Sequence, residues 1–212
     1  MKKDTLYIID LDRTLTDVDR VMEITKEVCG ELGIDFKKIL DDHQELAKNG
    51  TAYSPFVYIS SHEGIDIDQF KSRFIELSGI DNLLFADSRD FLDTLKKKNI
   101  GYMILTYGTD KSWQILKLQA AKLANTPYVI VKNRHKGRFI SGWVKENGSI
   151  VPGIEGLGTY NKGVFIDDRI AAFIDMPDNC QGYLLDRTGN TRPDAELPPN
   201  VRIIQSLSEV EV

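Results

Sequence analysis

The sequence predicts an α/β protein: a mostly parallel sheet with a block of helices inserted near its N-terminal end. Three observations carry this. Short apolar runs recur at residues 6–10, 101–106, 128–132, 163–168, 183–186 and 201–204, most of them without alternation, as in strands buried on both faces. Helical patterns fall between several of them, which is the rhythm of a parallel sheet. That rhythm stops between residues 18 and 82, where helical stripes occur without a clear buried strand.

The first strand is Leu6-Tyr7-Ile8-Ile9, running into Asp10. In the insert, Val21, Ile24, Val28 and Leu32 form one helical stripe ended by Gly33. Phe36, Ile39, Leu40 and Leu46 form a weaker second, and Ile67, Phe70, Phe74 and Leu77 a third ended by Gly79. The aromatic stretch from Tyr53 to Tyr58 reads as a loop or extended segment between them. After the insert, residues 88–98 carry Phe91, Leu92 and Leu95 on one side and end in Lys96-Lys97-Lys98, a basic last turn. Residues 109–125 place Trp113, Leu116 and Ala120 at helical spacing. Past Thr188, Pro193, Pro198 and Pro199 mark a loop before a final edge strand. The expected division is a core of residues 1–17 and 83–212 and an inserted domain of residues 18–82.

Composition narrows the function classes. The chain has 212 residues, enough for one large domain or a domain with an insert. Hydrophobic residues make up 42% and charged residues 28%, ordinary for a folded protein. A net charge of −5 argues against a general nucleic-acid binder, which needs a basic face. Cys29 and Cys180 are the only cysteines, so no disulfide framework is expected and a reducing, cytoplasmic setting fits. No apolar segment is long enough for a signal or membrane span, so no membrane association is expected. No His/Cys cluster has zinc spacing.

The chemistry gathers where strands end, since ligands of open α/β sheets bind outside the carboxyl ends of the strands. Asp10-Leu11-Asp12-Arg13-Thr14 puts two carboxylates two residues apart at the end of the first strand, where side chains at i and i+2 leave on the same side. Such a pair repels, and is explained by a cation or by use of one group as an acid. The 101–106 run ends in Thr106, followed by Tyr107, Gly108 and a helix start. The 163–168 run ends in Asp167-Asp168-Arg169. Acids, a hydroxyl and a helix N-terminus on one rim suit a hard divalent cation, magnesium above all, and a phosphate. An EF-hand reading of D-x-D fails, because its sixth position is Leu15 and its twelfth Val21 rather than Gly and Glu.

These residues resemble three motifs of the haloacid-dehalogenase-like (HAD) hydrolase superfamily. Asp10-Leu11-Asp12-Arg13-Thr14 is similar to its DxDxT first motif, Ile104-Leu105-Thr106 to its second, and Phe165-Ile166-Asp167-Asp168 to its fourth. The order matches over almost the whole chain, and the insert lies where the family places a helical cap. The resemblance implies a Rossmann-like core with a cap that closes over it. Asp10 would be the nucleophile, carrying an aspartyl-phosphate, and Asp12 the acid and base; an Asp at this second position marks the phosphatases of the family. Thr106, with Tyr107 and Gly108, would hold the phosphoryl group. Magnesium would be held by Asp10 and Asp167, with Asp168 a further ligand or an orienter, and by Asp12 through its backbone carbonyl.

The family's third motif supplies a lysine that, with the metal, would offset charge on the phosphoryl group. Lys136 follows the 128–132 strand and can open the next helix, so it is the favoured residue; Lys132 and Lys162 are its rivals, and spacing does not decide. Arg13 stands where Gly or Asn is commoner, and Tyr107 where Asn is frequent. The expected activity is magnesium-dependent hydrolysis of a small phosphate monoester, with a small phosphorylated metabolite as partner and no nucleic acid, membrane or protein partner. The alternatives are a phosphotransferase or phosphomutase using the same aspartyl-phosphate, and a non-catalytic phosphoryl-binding protein. His62, with Tyr53, Phe56 and Tyr58, is a lesser candidate for substrate contact; packing of the insert is the plainer role for the aromatics.

Overall fold

A computed structural model describes residues 3–48, 51–61, 64–80, 83–189 and 197–212. His62 and Pro193, named above, lie outside these residues. The chain divides into two compact units: Met1–Leu15, Phe85–Thr106 and Thr126–Val212 form the first; Thr16–Leu84 and Tyr107–Asn125 form the second.

The first unit is an α/β sheet structure. Its strands are β1 (Lys3–Ile9), β2 (Gly101–Tyr107), β3 (Tyr128–Val131), β4 (Tyr160–Asp167), β5 (Cys180–Leu185) and β6 (Val201–Ile204), in the order β3-β2-β1-β4-β5-β6. β1 pairs in parallel with β2 and β4, β4 with β5, and β5 with β6. This is the Rossmann-like core that the uninterrupted apolar runs predict. Leu6, Ile8, Ile9, Ile104, Leu105, Phe165, Ile166 and Leu184 are sealed from solvent, because a central parallel strand has no wet face. Helix α5 (Ala86–Lys97) packs Phe91 against Tyr7 edge-to-face, with ring centroids 5.8 Å apart. Cys180 opens β5 and is buried, which pushes its thiol up to about 12.

The second unit is helical. α1 (Val18–Glu31) starts where Asp17 caps the backbone N–H groups of Asp19 and Arg20. α2 (Phe36–Lys48) and α4 (Ile67–Ile80) follow the predicted stripes, although Ile39 is the buried residue of α2. The 53–58 stretch departs from expectation: Pro55–Ile59 is a short helix, α3. Ser54 accepts from Phe56 N, and Pro55 takes the first turn, where its missing N–H costs nothing. Phe56, Phe70 and Phe74 form an aromatic core around Trp113, which comes from α6 (Lys111–Ala120). α6 therefore groups with the inserted helices, whereas the sequence places residues 109–125 with the sheet. The indole's large apolar surface explains the grouping. Among the described residues no helix is long and apolar enough to cross a membrane.

Candidate active site

Sheet register brings the first two acids together. Ile9 pairs with Ile166, and Asp10 N donates to the Ile166 carbonyl at 2.9 Å. Asp10 and Asp167 therefore end neighbouring parallel strands at one level, with side chains on one face. The chain's strand order reverses between β1 and β4, which is the switch point where sheets of this class open a ligand crevice. β1 ends at Ile9, so Asp12 lies beyond the strand, in a turn closed by Leu15 N donating to the Leu11 carbonyl. The alternation expected to place Asp10 and Asp12 on one side of a strand does not apply.

Lys136 comes from the first residue of helix α7 (Lys136–Ser141). Its ammonium donates to Asp10 Oδ1 at 2.5 Å and to Asp167 Oδ2 at 2.8 Å. Lys132 and Lys162 are exposed, so Lys136 is the one of the three in the cluster. Gly137 makes this seating fit: a Cβ there would lie 2.5 Å from the Ile174 carbonyl oxygen and 2.8 Å from Met176 N. Arg138 pairs with Asp175, and Ser141 Oγ donates to the Asp175 carbonyl, fastening α7 to the segment that follows the acid pair.

The electrostatics suit a cation. Carboxylate oxygens of Asp10, Asp167 and Asp168 all lie within 4.8 Å of one another. Burial, opposed by Lys136 and reinforced by Asp167 and Asp12, raises Asp10 to about 7. Burial and the Asp10 charge raise Asp168 to about 6, against Arg169, Lys136 and Arg13. Burial also raises Asp167, with Lys136 opposing. Burial works against the Lys136 ammonium, but Asp10 and Asp167 outweigh it and hold its pKa above the ordinary value. One lysine thus faces three crowded acids. Asp168 Oδ1 is buried without a hydrogen bond, and the Arg169 Nε stands 3.8 Å from it, beyond hydrogen-bonding reach. A hard divalent cation fits this oxygen-only donor set.

Thr106 is fully buried on β2, beside β1, one residue past the level of Asp10. The Asp12 carboxylate is outside the group of three, yet its charge reaches Asp10. Tyr107 and Gly108 belong to the second unit; there Gln114 Nε2 donates to the Tyr107 carbonyl at 3.2 Å and packs against Gly108. Two residues at this rim carry no sequence signal. Arg187 donates to the carbonyls of Arg13 and Thr14, from 173 positions away in the case of Thr14, and Asp87 holds Arg187. Neither belongs to a motif, and such a contact is invisible without the fold.

The class defined by this fold and site is an open α/β protein with an acid-and-lysine cluster at its switch point. Solved structures with a similar fold include haloacid dehalogenase-like hydrolases. One from Burkholderia xenovorans LB400 superposes with a TM-score of 0.65 at 15% identity, covering 96% of this chain and 93% of its own. The HAD hydrolase YfnB of Bacillus subtilis, solved bound to magnesium, gives 0.58 at 14% identity, over 99% and 97%. A 2-haloacid dehalogenase from Pseudomonas syringae pv. tomato DC3000 gives 0.55 at 14% identity, over 97% and 96%. The chain has the haloacid dehalogenase-like fold. No protein-family model and no curated protein sequence matches it.

Proposed function

We propose that this protein is a magnesium-dependent phosphatase that hydrolyses a small phosphate monoester through an aspartyl-phosphate. The observation that supports it most is the buried cluster in which Lys136 bridges Asp10 and Asp167 while Asp168 Oδ1 is buried without a hydrogen bond. Asp10 Oδ attacks phosphorus, and the ester P–O bond breaks as Asp12 gives its proton to the leaving oxygen. Asp12 then takes a proton from water, whose oxygen attacks the same phosphorus and frees the Asp10 carboxylate and inorganic phosphate. Lys136 favours the ionised form of Asp10 against its burial and orients it, and Thr106 offers a hydroxyl to a phosphoryl oxygen. Magnesium, held by Asp10, Asp167 and Asp168, would offset the negative charge of the reacting phosphoryl group.

The acid at position 12 favours ester hydrolysis over the dehalogenation named for the Pseudomonas relative, because an oxygen leaving group needs a proton and a halide does not. Residues 18–82 would serve as the cap that selects the substrate, a small phosphorylated metabolite of the cytoplasm. The test is a magnesium-dependent screen over sugar phosphates, nucleotides and phosphorylated acids, with Asp10→Asn as control. Phosphate release lost in Asp10→Asn supports the reading. Isomerised ester without released phosphate indicates a phosphomutase, and magnesium binding without turnover a phosphoryl-binding protein.

A further inference from the structure

Arg187 stands behind the first-motif turn. It sits in a tight turn after β5, where Asp186 Oδ1 accepts from Thr188 N, Thr188 Oγ1 and Gly189 N. Its guanidinium uses its donors as a fork. Nε donates to the Arg13 carbonyl at 3.2 Å and Nη2 to the Thr14 carbonyl at 2.8 Å. Nη1 and Nη2 hold Asp87 at 2.9 and 3.0 Å, and Nη2 also reaches Ser88 Oγ at 3.3 Å. The guanidinium carbon lies 3.9 Å from the centre of the Phe85 ring, whose backbone N–H donates to the Leu15 carbonyl.

The turn needs this support. Arg13 has a φ of 63°, in the left-handed region that an L residue enters only at a cost. Leu15 N donates to the Leu11 carbonyl within the turn, while the carbonyls of Arg13 and Thr14 accept from Arg187, and that of Thr14 also from Ser88 Oγ at 3.2 Å. Asp87 is anchored in turn by Ser206 Oγ and Leu207 N, at 2.9 and 3.0 Å. The fork is thus fixed at its far end before it reaches the turn.

We infer that Arg187 is a positioning residue for Asp12: by gripping the carbonyls of Arg13 and Thr14 it holds the left-handed turn that sets the acid's place beside Asp10. The inference rests on the phosphatase reading. Arg187 touches neither substrate nor metal, and acts through the backbone.

A role at the acid has a signature that general loosening lacks. para-Nitrophenol leaves with little need of a proton, whereas phenol leaves poorly without one. The experiment measures kcat and KM on para-nitrophenyl phosphate and phenyl phosphate, with magnesium, for wild type, Arg187→Met, Arg187→Lys and Ser206→Ala. Arg187→Met should lose tenfold or more in kcat on phenyl phosphate and far less on para-nitrophenyl phosphate, with KM within about twofold on both. Arg187→Lys should recover part of the loss, and Ser206→Ala, which removes one of the anchors of Asp87, should shift the ratio of the two esters in the same direction as Arg187→Met but by less. Should Arg187→Met fail to fold, Arg187→Lys carries the same comparison. Equal losses on both esters from an active wild type, or no loss, overturn the positioning role alone. A wild type that hydrolyses neither ester overturns the phosphatase reading and this inference with it.

Discussion

The Lys136 ammonium donates to Asp167 Oδ2 at 2.8 Å, and both side chains are all but sealed from water, 4% and 1% exposed. A buried charge pair contributes little net stability when intact, but removing one partner leaves the other charge uncompensated. Lys136→Met should therefore cost about 3–5 kcal/mol in metal-free buffer. The loss should shrink when magnesium is present, because the cation replaces the missing charge. Urea unfolding with and without magnesium measures both. A variant as stable as wild type in metal-free buffer would remove the charge-balance account.

Magnesium should stabilise the wild type by an amount that grows with the logarithm of its concentration above the dissociation constant, reaching about 2.7 kcal/mol at one hundred times that constant. Protons compete for the same oxygens, so the stabilisation should fade as pH drops through about 7 and then about 6, the values of Asp10 and Asp168. Asp168→Asn, which removes one anionic donor, should weaken it at every pH. Thermal shifts across a magnesium and pH grid test this, and an unchanged shift in Asp168→Asn would place the cation elsewhere.

Asp12→Asn should keep the fold and the magnesium shift while kcat falls by about 10²–10⁴, the usual contribution of a general acid–base group. Steady-state kinetics and a melting curve on one preparation separate the two. A fall below tenfold would take proton transfer away from Asp12.

Gly137→Ala should destabilise by about 1–3 kcal/mol, because the new methyl group meets backbone atoms of Ile174 and Met176 rather than a yielding side chain. The displaced helix carries Lys136 with it, so turnover should fall as well. Denaturant unfolding and phosphate release measure the pair of effects. A silent Gly137→Ala would show that α7 can shift without cost.

Asp87 supplies an acid-labile element. Burial pushes its carboxyl up, but the hydrogen bonds from Arg187, Leu207 and Ser206 outweigh it and hold the group below its ordinary 3.8. A depressed folded-state value means stability that is present above the unfolded value and lost as pH falls through the folded one. Wild type and Asp87→Asn should thus differ most at neutral pH and converge under acid. Denaturation midpoints from pH about 7 to about 3 test the convergence, and a gap that widens in acid would reverse the assignment.

Much of the core was legible because a buried parallel strand writes itself as an uninterrupted apolar run, and because each run hands its last residue to the rim. Asp10, Thr106 and Asp167 could be placed from that alone. Lys136 is favoured by its place at a helix start, yet Lys132 and Lys162 stay as rivals, since strand spacing does not say which lysine turns inward. Gly137, packed against Ile174 and Met176, is what lets α7 bring it there. The short α3 was missed because aromatic content masked the Ser54-Pro55 start signal. The placement of α6 was missed because Trp113 can pack on either neighbour, and helical spacing does not name the partner.

By itself, then, the sequence determined the α/β class, the strand ends and the kind of chemistry their acids can support, because apolar burial and strand periodicity are local properties. Tertiary structure alone decided the charge balance at Asp10, the choice of Lys136, and the grip of Arg187 on the turn of Arg13. Those depend on distances between groups far apart in the chain, and such distances exist only once the sheet has set its order and register.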